Sequence, residues 1–355
     1  MKFINIHKSL VAIRSICMLI LLLATLSGCK KWYDLPADLD YFSDRVDYTQ
    51  QNFSPVLGRT TLFTNILNYD NSSLPLKFEM LNVRNMDGTA ADNLTNGQPV
   101  LVWTGAYDGL EKSMEEIQAK RKLENHPLWE LRKSGELMLW RSATNNLIPN
   151  YQGSGLLNPG GYLFDIKVSN SGGEKTIKNL VLNPLRESPY DPTNRDAVTG
   201  LQKDSILPTE LSGMVGQNNR ILLSNTNKDV YIYFKRKGDG HSLTFKFIDK
   251  NNAPINTNAF NKTKWSELIH GFNMVQTPDF VRYDVAYPIP LVKIPTKYTT
   301  SDGSKAAVAF VYDRLGFDGI RETGRLAFNF SIFREGDWEI IFHFRNESPR
   351  FQDEY

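Results

Sequence analysis

The sequence predicts a mainly β protein in which tandem β-sandwich modules precede a larger β-sandwich or jelly-roll domain, with one amphipathic helix among them. Two observations carry this reading. Apolar and polar residues alternate in Leu76-Lys77-Phe78-Glu79-Met80, in Phe164-Asp165-Ile166-Lys167-Val168 and from Leu326 to Ile332, the period that turns one face of a strand to a core and the other to water. The composition adds 20 Phe, 15 Tyr and 6 Trp to 24 Gly, and large aromatics among turn-forming residues favour strands over helices.

The chain opens with Lys2, Lys8 and Arg14, runs from Ile16 to Leu26 without an acidic residue and reaches small residues before Cys29, the layout of a secretory signal. Arg14 interrupts the apolar run from Val11 to Gly28 and leaves less than the roughly 20 residues a bilayer helix needs. Cleavage is therefore expected over a retained anchor. Leu26-Ser27-Gly28-Cys29 resembles a bacterial lipobox. The resemblance implies cutting before Cys29, lipid on its thiol and acylation of the new amino group. Several acyl chains hold a protein firmly where one does not, so the lipid membrane is the first expected partner.

Removing residues 1–28 takes three basic residues and no acidic one, leaving 38 Lys and Arg against 39 Asp and Glu. A near-neutral chain lacks the concentrated basic face that nucleic-acid binding requires. Of the two cysteines, Cys17 leaves with the signal and Cys29 carries lipid, so no thiol remains for a disulfide, a zinc site or a nucleophile.

Residues 29–58 lack periodicity and read as a tether. Residues 59–127 read as a first sandwich module, with strands at Leu76–Met80 and Val100–Trp103 and a turn at Asn85-Met86-Asp87-Gly88, where Asp-Gly tolerates positive φ. Leu110, Met114, Ile117 and Arg121 fall on one face of a helix expected from Leu110 to Leu123, with Pro127 beyond it. Residues 128–190 read as a second module of immunoglobulin-like type, with strands at Glu136–Trp140, Tyr162–Val168 and Thr176–Leu182. Residues 191–217, rich in Pro, Asp, Asn and Thr, read as a linker. Residues 218–355 carry the strongest β pattern. Leu243, Phe245 and Phe247 share a face, as do Leu326, Phe328, Phe330 and Ile332, and Trp338, Ile340, Phe342 and Phe344, which implies a sandwich with an aromatic core. Tyr287-Pro288-Ile289-Pro290 belongs to an edge or loop, because proline has no donor. A short helix is expected around Lys264–His270.

No sequence motif carries a catalytic mechanism: H-E-x-x-H, G-x-S-x-G, a Walker loop and G-x-G-x-x-G are all missing. No cofactor or metal is expected. The stretch Asp191–Asp196 offers oxygens, yet Arg195 intrudes and no bidentate Glu follows at calcium-loop spacing. His126, His241, His270 and His343 lie far apart and read as satisfied or solvated side chains. What remains is aromatic surface. A Trp or Tyr plane outside the core stacks on the C–H face of a sugar while polar neighbours bond its hydroxyls. Trp265, Tyr190, Trp103 and Tyr107 lie off clear strand faces and are the candidate ligand-binding residues; Trp140 and Trp338 are assigned to cores.

A lipobox, a tether and successive sandwiches without disulfides resemble the accessory outer-membrane lipoproteins of Bacteroidetes associated with SusC-like and SusD-like nutrient importers. The segments Trp32–Asp38 and Pro55–Thr61 are similar to the opening of one group in that set. The resemblance implies a non-catalytic lipoprotein of the outer membrane, binding a polysaccharide or other nutrient for a TonB-dependent uptake system, with the importer as partner. Surface-displayed members carry acidic residues directly after the cysteine; here Lys30-Lys31-Trp32 comes first. The cell surface is expected ahead of the periplasmic face. Asp204-Ser205-Ile206 is similar to the O-glycosylation signal of exported Bacteroidetes proteins, which makes Ser205 a candidate acceptor. Two alternatives stand beside this reading: a glycoside hydrolase or lyase on the C-terminal sandwich, and a structural or adhesive surface protein.

Overall fold

The computed structural model describes residues 40–155 and 160–354. The fold is mainly β, with several sheets that do not close into barrels, as in a β-sandwich. Among the described residues no helix is long and apolar enough to cross a membrane. Cys29, the leader and residues 29–39 of the expected tether lie outside the described residues.

Two large cores organise the chain. The N-terminal core runs from Val46 to Leu182 and gathers Phe53, Trp129, Leu137, Tyr162, Phe164, Ile166 and Val168. Its main sheet places strand Tyr162–Asn170 between Lys77–Asn85 and Gly173–Leu182, and Asn52–Phe53 adds to the far edge in parallel. Phe164, Ile166 and Val168 are fully buried, as their alternation requires. Asp165 points the other way into a bulge, where it accepts hydrogen bonds from Asn82 Nδ2 at 2.8 Å and from the Asn179 amide at 2.8 Å.

This pairing corrects the expected division into modules 59–127 and 128–190. Strand Lys77–Asn85 pairs with Tyr162–Asn170 across the boundary, and the two stretches share one core. The tether is corrected in part. Val46, Phe53 and Leu57 are fully buried, so residues 40–58 belong to the body.

The C-terminal core packs two sheets face to face. One has the order Val230–Gly238, Gly336–Phe344, His241–Ile248, Val281–Val285, Gly271–Gln276, with a parallel pair at its centre. The other is the hairpin Ala306–Leu315 and Arg321–Ile332, edged by Tyr190–Asp191 and Glu210–Ser212. Phe310 meets Phe247 at 4.8 Å and Phe342 at 5.0 Å, edge to face, the arrangement ring quadrupoles favour. Trp338 and Trp140 are both buried. Residues 191–217 are not a linker. Glu210–Ser212 pairs with the long strand, Ile206 bridges to Ile232 and Met214 is fully buried; buried apolar residues that come singly and far apart left no periodicity to read.

The expected helix Leu110–Leu123 shrinks to Met114–Ala119, capped by Ser113, whose hydroxyl accepts from the Glu116 amide at 3.3 Å. Arg121–Pro127 is instead a strand, paired along its length with Gly97–Trp103. Leu110 and Leu123, the two ends of the expected helix, are 72% and 69% exposed. Ile117 alone on that helix is buried, and one anchored residue does not hold three turns against a seven-residue ladder. Around Lys264–His270 the chain makes only a single 3₁₀ turn, Trp265–Glu267. Ile289 exchanges two backbone bonds of 2.8 Å with Ile332, which puts the Tyr287–Pro290 segment at a sheet edge.

Candidate functional site

The structure brings two of the four aromatic candidates together and separates the others. Trp103 and Tyr107 stand 5.6 Å apart and join Met114 and Phe272 around a small core of Ile117, Ala286 and Leu291. The Arg121 guanidinium lies over Trp103 and donates to the Tyr287 carbonyl at 2.9 Å. Tyr107 Oη lies 2.6 Å from His270 Nδ1, while His270 Nε2 lies 2.8 Å from the Glu111 carbonyl. A carbonyl only accepts, so Nε2 carries a proton, and with the ring's single N–H there Nδ1 accepts from the Tyr107 hydroxyl. Burial pushes the Tyr107 phenol well above its ordinary value. These rings hold the Gly97–Pro127 hairpin to the C-terminal sandwich.

Tyr190 stacks face to face on Phe234 at 4.3 Å and meets Trp338 edge-on at 5.7 Å. Trp265 packs on Phe310 at 5.6 Å and its carbonyl accepts the Tyr283 hydroxyl. Both rings are half-buried against the C-terminal core. Ser205 is half-buried beside the Ile206–Ile232 bridge. None of the four rings is a bare platform.

An aromatic the sequence reading passed over does stand free. A hollow of about 430 Å³ opens on the N-terminal body between the stretch from Asn65 to Phe78 and the turn Lys133–Glu136. Tyr69 is 50% exposed and Leu74 68% exposed on its wall. Tyr69 sits in Asn68-Tyr69-Asp70-Asn71, where Asp70 and Asn71 adopt φ of 42° and 61°, a region Asn and Asp tolerate. The Ser72 amide donates to the Tyr69 carbonyl at 2.8 Å and the Asp70 amide to Asn68 Oδ1 at 3.1 Å. With its own backbone closed this way, the loop turns the ring outward. An aromatic flanked by three turn residues was the signal available in the sequence.

Gly135 forms the floor. Its φ is +83°, and a Cβ there would stand 2.8 Å from the Phe78 ring. Its carbonyl accepts the Tyr48 hydroxyl at 2.7 Å, and burial raises the Tyr48 phenol far above its ordinary range. On the rim, Ser134 Oγ donates to Glu136 Oε2 at 2.9 Å. The side chains of Asn65 and Lys133 have no hydrogen-bond or ion-pair partner among the described residues. The hollow thus offers an apolar wall, one phenol plane and uncommitted polar groups of both kinds. Among the described residues no group of three His, Cys, Asp or Glu side chains is placed to hold a metal ion.

A family described as a domain of unknown function (DUF5007) matches residues 67–353. The chain belongs to the DUF5007 family. Neither a curated protein nor a solved structure matches it. The DUF5007 match takes in the C-terminal sandwich, the N-terminal body from Leu67 onward and, of the hollow's lining, all but Asn65 and Ile66.

Proposed function

We propose that this DUF5007 protein is a membrane-anchored, non-catalytic lipoprotein that binds a glycan, or a segment of one, in the hollow beside Tyr69. The observation that carries the reading is the exposed Tyr69 ring on an apolar wall, within reach of the free Asn65 and Lys133 groups. A sugar ring has the same two-sided chemistry: C–H faces that stack and hydroxyls that both donate and accept. Ligand clefts of a few hundred Å³ with few convergent polar groups are the usual form of such sites. The anchor rests on the lipobox resemblance at Leu26–Cys29, and delivery to a SusC/SusD-type, TonB-dependent importer rests on the resemblance of the opening segments.

Affinity electrophoresis of a soluble Cys29→Ala form through starch, xylan, mannan, pectin and mucin gels tests the reading. At least one polymer retards the protein, and Tyr69→Ala weakens that retardation roughly tenfold, the worth of about one aromatic contact. Free migration in every gel rejects it. Incorporation of a clickable fatty acid in cells, lost in Cys29→Ala, checks the anchor; protease shaving of intact cells separates the surface from the periplasmic face.

A further inference from the structure

A second cleft, of about 390 Å³, lies between the helix Met114–Ala119 and the outward face of the C-terminal five-stranded sheet. Strand register sets its floor. Ser242 is opposite Asp284 on one side and Asp337 on the other. Their chain neighbours Leu243, Tyr283 and Trp338 are buried in the core, so alternation turns all three outward. Two carboxylates therefore flank a small hydroxyl residue, their strands separated by two sheet spacings, roughly 9–10 Å. Arg282 stands one pleat along, opposite Thr244. Met114 and Gln118, four residues apart and so on one helix face, form the roof.

The polar groups are not all consumed by the fold. Asp337 accepts from Ser242 Oγ at 2.7 Å and from the Gly240 amide at 3.2 Å, and Asp284 from Asn273 at 2.9 Å, which leaves lone pairs on both carboxylates. Arg282 makes only a long ion pair with Asp284, 3.8 Å from Nη2 to Oδ1, and neither its guanidinium nor the Gln118 side-chain amide has a hydrogen-bond partner among the described residues. Free donors and part-free acceptors thus face one space. An anion entering it meets two carboxylates, and a cation meets Arg282 and the His241 ring, which also lines the cleft 3.8 Å from Glu335. A neutral ring with adjacent hydroxyls satisfies both, since each hydroxyl accepts from guanidinium or amide and donates to carboxylate. Met114 supplies a soft apolar contact for its C–H face.

We infer that this cleft is a second binding site, separate from the hollow at Tyr69, for a neutral polyhydroxylated ring. Calorimetric titration of the full chain carrying Cys29→Ala with D-glucose, D-galactose, D-mannose, D-xylose and L-arabinose tests it. At least one sugar binds; Arg282→Ala and Gln118→Ala each weaken that binding roughly tenfold or more, as loss of one buried or charged hydrogen bond does; Tyr69→Ala leaves it unchanged. Asp284→Asn, which keeps the side chain's shape, weakens it too and serves if an alanine variant unfolds. The inference falls if no sugar binds, if binding survives both alanine substitutions, or if glycine occupies the site in place of sugars. Binding lost only in Tyr69→Ala overturns this cleft while leaving the hollow intact.

Discussion

Gly135 shows how one residue sets the depth of the hollow. Both its φ and its distance from Phe78 exclude a side chain, whereas Gly88, at φ +88°, has nothing within 4 Å of a built Cβ. Gly88→Ala therefore reports the backbone cost alone, about 1 kcal/mol, and Gly135→Ala adds displacement of a packed ring for about 2–4 kcal/mol in all. Urea midpoints compare the two, and equal losses would mean that Phe78 moves aside freely. At this scale the sequence identified ring types but not ring faces. Tyr190 and Tyr69 both lie among turn residues, yet Tyr190 finds Phe234 across a sheet edge while Tyr69 finds nothing. That difference rests on non-local pairing, such as Tyr190 opposite Ile332, and no local pattern contains it.

Strands with one inward face were legible as elements because alternation is a local consequence of burial. Trp338, Ile340, Phe342 and Phe344 are all buried in the strand their spacing predicts. The Gly97–Pro127 hairpin was half hidden because its second strand carries Glu, Asn and His on both faces and borrows a helical spacing from Ile117 and Arg121. Its far corner has its own electrostatics. His126 lies between Glu124, 3.0 Å from Nε2, and Glu130, 2.9 Å from Nδ1, and Glu130 also accepts the Trp140 indole N–H at 2.7 Å. The hydrogen bond to Glu124, with the charge of Glu130, holds the imidazole above its ordinary pKa despite partial burial. A neutral ring has one N–H and leaves a lone pair against the other carboxylate. A raised folded value means the contribution is full below the unfolded pKa near 6.5 and is lost as pH rises through the folded one. The His126 contribution to the unfolding midpoint should therefore fall as pH climbs from about 6 toward 8, so the slope of midpoint against pH should be less negative in His126→Gln. An unchanged slope would show that the two glutamates relax away from the ring.

At the scale of the whole molecule the same hairpin bridges the two bodies. Near Val100 it packs on Met138 and Trp140 of the N-terminal body; near Ile117 it packs on Ala286 and Leu291 of the C-terminal sandwich. Direct contacts also join the bodies, with Arg141 on Glu335 at 2.8 Å and the Arg59 guanidinium 3.9 Å above the Phe333 ring. Such surface contacts are individually worth about 1 kcal/mol or less, whereas removing a buried isoleucine side chain costs about 2–5 kcal/mol. Ile117→Ala should therefore loosen one docking surface rather than weaken the chain evenly. Hydrogen exchange should rise in Arg121–Pro127 and Gly271–Gln276 while Tyr162–Leu182 stays protected, because that sheet belongs to a core the substitution does not touch. Even acceleration in all three would mean that the two bodies unfold as one cooperative unit. Because Met114 and Gln118 sit on the helix that Ile117 anchors, the same substitution should also weaken binding in the second cleft and spare the hollow at Tyr69.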